Sequence, residues 1–188
     1  MEKLINRFLS SAFLVLLLTA IFMTAVFFTR DSSDPFPSSY DGENVSSFEE
    51  CVTAGNPILE SYPRQCRVND QTFTEDIGNE LEKIETILIQ SPRPNQTVTS
   101  PITIAGQARG SWYFEGIFSV ELTDANGNSL GKSTVKAIRD WQTEEFVAFS
   151  GILTFSQPTT KTGKLILNKA NPSGLEENED ALHIPVKF

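Results

Sequence analysis

The chain has 188 residues, 39% of them hydrophobic and 21% charged, and a formal net charge of −9. Setting aside Glu2, Lys3, Arg7 and Arg30 leaves 12 basic and 23 acidic residues over 31–188, a net of −11. That balance suits solubility outside the cell and excludes nucleic acid and anionic lipid headgroups as partners, since phosphate binding needs clustered Lys and Arg.

Residues 8–28 hold no charge, no proline and no glycine, with Lys3 and Arg7 ahead and Arg30, Asp31 and Asp34 behind. At the rise of an α-helix the run spans about 30 Å, the hydrocarbon thickness of a bilayer. A cleaved signal peptide has a shorter apolar core, of about 7–15 residues, and a small-x-small cut site. Here Leu18-Thr19-Ala20 and Met23-Thr24-Ala25 put a bulky residue three back from the cut. The run therefore predicts an uncleaved signal-anchor in the cell membrane. Residues 1–7 are its cytoplasmic tip, and the carboxyl-terminal part is extracytoplasmic because positive charge stays inside.

Residues 29–47, rich in Ser, Asp, Pro and Gly, read as a disordered stalk. Residues 48–76 hold Cys51 and Cys66, the only cysteines. Export favours their oxidation, and with one histidine they cannot make a four-ligand zinc site. The reading is a structural disulfide, and closing a loop of this length stabilises the fold by about 3 kcal/mol. A segment this short needs that staple and docking on its neighbour, because it is too small for its own core. Residues 77–85, with Leu81 and Ile84 among charged neighbours, form a short helix or a connector.

From residue 86 the pattern becomes short alternating runs cut by Gly, Pro and Asn. Residues 86–90 are rich in β-branched side chains. In the run after Pro101, Ile102, Ile104, Gly106 and Ala108 share one face. Phe118, Val120 and Leu122 alternate with polar residues before Asp124-Ala125-Asn126-Gly127-Asn128, a hairpin loop. Strands are expected at 130–138, 146–155 and 164–169. The last, 181–188, turns Leu182, Ile184, Val186 and Phe188 inward and His183, Pro185 and Lys187 outward. About seven strands over 86–188 without a long helix predict an all-β, two-sheet sandwich.

Ser91-Pro92, Ser100-Pro101-Ile102-Thr103-Ile104-Ala105-Gly106, Trp112-Tyr113-Phe114-Glu115-Gly116, Asp140-Trp141, Asn171-Pro172-Ser173-Gly174 and Ile184-Pro185-Val186-Lys187-Phe188 follow one another in order. Over residues 87–188 this series resembles the Gmad2 family, the immunoglobulin-like domain associated with bacterial spore germination proteins. The resemblance implies an immunoglobulin-like sandwich on an exported bacterial protein. It implies no reaction, ligand or catalytic residue.

Trp112, Tyr113 and Phe114 are the densest aromatic patch, and successive side chains of a strand point to opposite faces, so one ring is expected at the surface. Trp112 is the expected surface ring and Trp141 the expected core ring. With Glu115 and Arg109 beside it, the patch is the candidate binding site, able to stack on a sugar or on a partner's side chain. Asp124 opens a turn and not an EF-hand, because Ser129 and Val135 stand where that loop needs Gly and Glu. The acidic run Glu176-Glu177-Asn178-Glu179-Asp180 reads as a solvated loop. No metal site and no cofactor motif emerge.

Catalysis lacks residues. His183 lies mid-strand with no glycine-flanked serine elbow in the chain, and Glu144 and Glu145 diverge as neighbours in a strand. The expectation is a non-catalytic, membrane-anchored interaction module of the bacterial cell envelope, linked to germination or sporulation. Its partner is an envelope protein or cell-wall glycan. A carbohydrate- or peptidoglycan-binding module, using cell-wall glycan stacked on Trp112, is the alternative.

Overall fold

The computed structural model describes residues 45–188. The expected tip, the membrane anchor at 8–28 and the stalk up to residue 44 lie outside the described residues. Among those described, no helix is long and apolar enough to cross a membrane.

Residues 45–47 join the first helix, α1 (Phe48–Thr53). Ser47 caps it, its Oγ accepting the Glu50 N–H at 3.1 Å, while Glu50 accepts the Ser46 N–H at 2.8 Å. Its other end is closed by Gly55 at φ 78°, with Asn56 N–H donating to Cys51 O and Gly55 N–H to Val52 O. Three short strands follow: β1 (Ile58–Leu59), β2 (Gln65–Val68) and β3 (Gln71–Thr74), antiparallel in that order. The Cys51–Cys66 disulfide joins α1 to β2 across a Cα separation of 6.0 Å. Phe48, Cys51, Cys66 and Val68 make a small core of their own.

The connector holds one helical turn, α2 (Glu80–Lys83). After it come β4 (Ile87–Ser91), β5 (Ile102–Arg109), β6 (Ile117–Asp124), β7 (Ser129–Ala137), β8 (Phe146–Leu153), β9 (Thr162–Asn168) and β10 (Ala181–Lys187). The expectation of two separate sheets is corrected here. All seven strands form one nearly closed sheet in the order β10-β9-β6-β7-β8-β5-β4. Strand pairing between β7 and β8 is confined to Lys136 with Ser150 and Ala137 with Phe149. The inner faces of the two halves still meet in a single core, as in a sandwich. Phe118 of β6 stacks edge-on against Phe149 of β8 at 5.0 Å, among Val120, Leu122, Leu165, Ile104 and Ile184.

The first and last strands of this order do not pair with each other, so the outer side of β10 needs other partners. In β10 Leu182, Ile184 and Val186 are buried, as the alternation predicts, and Phe188 is half-buried against Phe155. The odd-numbered residues direct their backbone groups away from β9. Asn79 meets them with its side chain: Nδ2 donates to Ala181 O at 3.0 Å, and Oδ1 accepts the His183 N–H at 2.7 Å. Pro185 has no N–H to satisfy, which fits an edge strand, and its carbonyl accepts the Asn95 N–H at 2.7 Å. Lys187 pairs through its N–H with Gln96 O and through its carbonyl with the Val98 N–H. Gly78 makes this approach possible: a Cβ there would lie 1.8 Å from His183 O.

Two carboxylates buried between the stapled segment and the sheet hold the connector in place. Glu75, 8% exposed, takes both Arg64 Nε at 2.8 Å and Nη2 at 2.6 Å, and also accepts from Asn95. Glu80, 6% exposed, takes Arg93 Nη1 at 2.6 Å and the Tyr62 hydroxyl. Burial and the Glu80 bond push the Tyr62 phenol up to about 12.

Two tests follow from this packing. Replacing Cys51 and Cys66 by Ser should cost about 3 kcal/mol in the 48–76 segment by the loop-closure argument, with the seven-stranded sheet still folded. Urea unfolding read separately from segment and sheet checks it, and equal losses in both would contradict it. The second test is acid. The Arg64 hydrogen bonds hold the Glu75 carboxyl below its ordinary 4.5. A depressed folded value stabilises fully above about pH 4.5 and fades as pH falls through that folded value. Glu75→Gln should cost about 1 kcal/mol at neutral pH and flatten the stability loss as pH falls below about 4.5. An unchanged acid limb would contradict this role for Glu75.

Candidate binding end of the sheet

β5 ends at Arg109 and runs into a 3-10 turn, Gly110–Trp112, so the residues expected to alternate along a strand leave it instead. Both rings that follow go inward. Trp112 is 1% exposed, with its ring edge-on to Phe118 at 6.5 Å. Tyr113 is 4% exposed, and its hydroxyl donates to Val147 O at 2.7 Å. Burial pushes that phenol up to about 12.

The chain then reverses in a two-residue turn, Glu115 and Gly116, at φ 52° and 74°. Phe114 and Ile117 exchange both backbone hydrogen bonds at 3.1 Å, the tight hairpin geometry that positive φ at both turn residues allows. Phe114 is the ring this leaves outside, at 45% exposure.

The expectation that Trp112 is the surface ring is overturned. Trp112 is core. Trp141 is half-buried at the edge of the core, over Gly116, where a Cβ would lie 3.2 Å from its Cδ1. The physical reason is the 3-10 turn, which breaks the two-residue period on which the expectation rested.

Arg109 is committed to the scaffold. Its Nε donates to Glu85 O at 2.9 Å, its Nη1 to Glu144 O at 2.9 Å, and its guanidinium lies 4.6 Å over the Phe146 ring. It ties the connector to the 138–145 loop. Gly110 lets that loop close in, since a Cβ there would meet Thr143 O at 1.9 Å and Trp141 O at 2.3 Å. The Ala170 N–H donates to Trp112 O at 2.9 Å and brings in the third loop. There Asn171 organises Asn171-Pro172-Ser173-Gly174 by bonding Leu175 O, Ser173 Oγ and the Gly174 N–H.

Three segments far apart in the chain, around Trp112, Trp141 and Asn171, therefore build one end of the sheet. The large apolar groups they leave exposed are Phe114, Leu175 in the third loop and, beside the last residues of β7, Ile138 at 68% exposure.

Titratable groups at other places are structural. Asp124 Oδ1 accepts the Asn126 and Asn128 N–H groups and Oδ2 the Asn128 amide, which hold its carboxyl below the usual range and make it a turn residue. In the acidic run, Asp180 is paired with Lys83 at 2.6 Å. Among the described residues no group of three or more His, Cys, Asp or Glu is placed to hold a metal. One feature escaped the sequence reading: a cleft beside His183, formed where the connector lies against β10. Its walls come from residues about 100 positions apart, with no local signal to join them.

Residues 86–175 match the family model of Gmad2, described as the immunoglobulin-like domain of bacterial spore germination. This stretch of the chain is similar to the Gmad2 domain. No curated protein and no solved structure gave a match. The Gmad2 match spans β4 to β9, the loops around Trp112 and Trp141, and the third loop as far as Leu175. The strand β10, which completes the sheet, lies beyond it, and the connector whose Gly78 and Asn79 meet β10 lies before it.

Substitutions separate the rings. Trp112→Ala should cost about 3–5 kcal/mol by emptying a core site, whereas Phe114→Ala should stay within about 0.5 kcal/mol of the parent. Denaturant unfolding of the two variants decides it, and a mild Trp112→Ala would contradict the packing described above.

Proposed function

We propose that the chain is a non-catalytic interaction module, anchored by residues 8–28 on the outer face of a bacterial cell membrane, that binds an envelope protein through the loop end of its Gmad2-like domain. The observation that carries this reading is Phe114: a large apolar ring exposed on a tight two-residue turn, whose neighbours Trp112 and Tyr113 are locked in the core. A rigid aromatic loses little conformational entropy on binding, which is why such residues act as anchors in interfaces. Ile138 at the same end adds apolar area. The family description, bacterial spore germination, supports a role in that process. The charge bias around residues 8–28 supports the topology.

A glycan site rested on Trp112 as the stacking ring. With that ring in the core, a protein partner is the reading we favour.

A photo-crosslinking residue at position 114, in the full chain in its own membrane, should capture one protein. Phe114→Asp should lose binding by about 2 kcal/mol or more, as at an interface anchor, with the unfolding midpoint unchanged. Capture of glycan alone, or binding indifferent to Phe114→Asp, would overturn the reading. Protease added to cells stripped of outer barriers should release or degrade the Gmad2-like domain. Protection until the membrane is broken would reverse the orientation.

A further inference from the structure

A cleft of about 550 Å³ opens on the outer side of β9 and β10, between the connector and the 169–180 loop. Lys83, Asn168, Lys169, Glu179, Asp180 and His183 are among its walls. In a chain of net charge −9 these walls set two lysines, Lys83 and Lys169, against two acids, Glu179 and Asp180, and Lys164 adds a third cation that acts on the His183 ring from β9. Of the two acids, Asp180 is engaged by Lys83 at 2.6 Å and by the Ala181 N–H at 2.9 Å. Lys169 makes no ion pair among the described residues.

His183 is the only histidine of the chain. Its Nδ1 is sealed from solvent with no hydrogen-bond partner. A buried N–H without an acceptor is the costlier arrangement, so the proton of the neutral ring belongs on Nε2. Burial, then Lys164 and Lys83, hold the ring's pKa below its ordinary value of 6.5, and Asp180 opposes them.

We propose that this cleft binds an oxyanion, the carboxylate or phosphate group of a ligand, through Lys169 Nζ, the Asn168 amide and the His183 ring N–H. The proposal does not depend on the protein partner inferred above. Asn168, His183 and Lys169 line the same cleft from β9, β10 and the loop after β9, and a charge-assisted donor beside neutral ones suits such a group. An anion seated beside the imidazole favours the protonated ring, so binding raises the histidine's pKa and tightens as pH falls through it.

The single histidine makes the test direct, because a full-length chain in detergent with isotope-labelled histidine gives one imidazole signal. Inorganic phosphate added at constant ionic strength, with chloride as the balancing salt, should shift that signal saturably and raise its titration midpoint. Lys169→Gln should weaken the effect about tenfold, the loss of one charge-assisted contact, with the unfolding midpoint unchanged. Acetate in place of phosphate separates the sources. A response to both anions assigns the site to carboxylates and phosphates alike, and a response to phosphate alone assigns it to phosphate groups. An equal shift with chloride, no saturable shift with either anion, or an unchanged response in Lys169→Gln would overturn the proposal.

Discussion

The outer side of β10 has no strand beside it, and the rest of the structure is arranged around that fact. A sheet edge carries N–H and C=O groups that must find partners, and an open one invites pairing with another chain. Asn79 presents its amide to Ala181 O and to the His183 N–H as a neighbouring residue of a strand would. Pro185 removes one donor, and Asn95, Gln96 and Val98 meet the remaining groups. Each group left unpaired would cost about 1–3 kcal/mol when buried, so a few such contacts weigh heavily against the net stability of a domain.

That closure depends on the stapled segment. Asn79 is positioned by its neighbour Glu80, held by Arg93 and Tyr62, and the connector's start is positioned by Glu75, held by Arg64 and Asn95. The arginines keep 45% and 43% of their side-chain area in solvent, so the ion pairs add modest stability. Their larger contribution is orientation, because a buried carboxylate without its partner is strongly unfavourable and only one docking geometry satisfies both. The disulfide makes the segment firm enough to do this, since Phe48, Cys51, Cys66 and Val68 alone are a meagre core.

Strands were legible in the sequence wherever apolar residues alternate. Ile102, Ile104 and Ala108 are buried as expected, as are Leu182, Ile184 and Val186, and the Cys51–Cys66 pair was readable from composition. Strand ends differ by a residue or two, as at β9, where residues 164–169 were expected and Thr162–Asn168 is observed. What was hidden is non-local. The turn at Gly110–Trp112 reverses which ring faces outward, and nothing in three adjacent aromatics announces it. Alternation within strands says which face is buried and not which strands pair, so one curled sheet and two stacked sheets read alike. Asn79 and His183 are 104 residues apart, and only the fold brings them together.

The last edge of the sheet is closed by a side chain, and at the loop end Phe114 and Ile138 stay exposed. The claim beneath this account is that Asn79 substitutes for a missing strand. Amide hydrogen exchange tests it within one strand, because His183 donates outward to Asn79 while Leu182 and Ile184 face β9. The account predicts that His183 is protected in the parent chain, and that Asn79→Ala strips protection from His183 while Leu182 and Ile184 keep theirs. An unprotected His183 in the parent, or undiminished protection in Asn79→Ala, would contradict it.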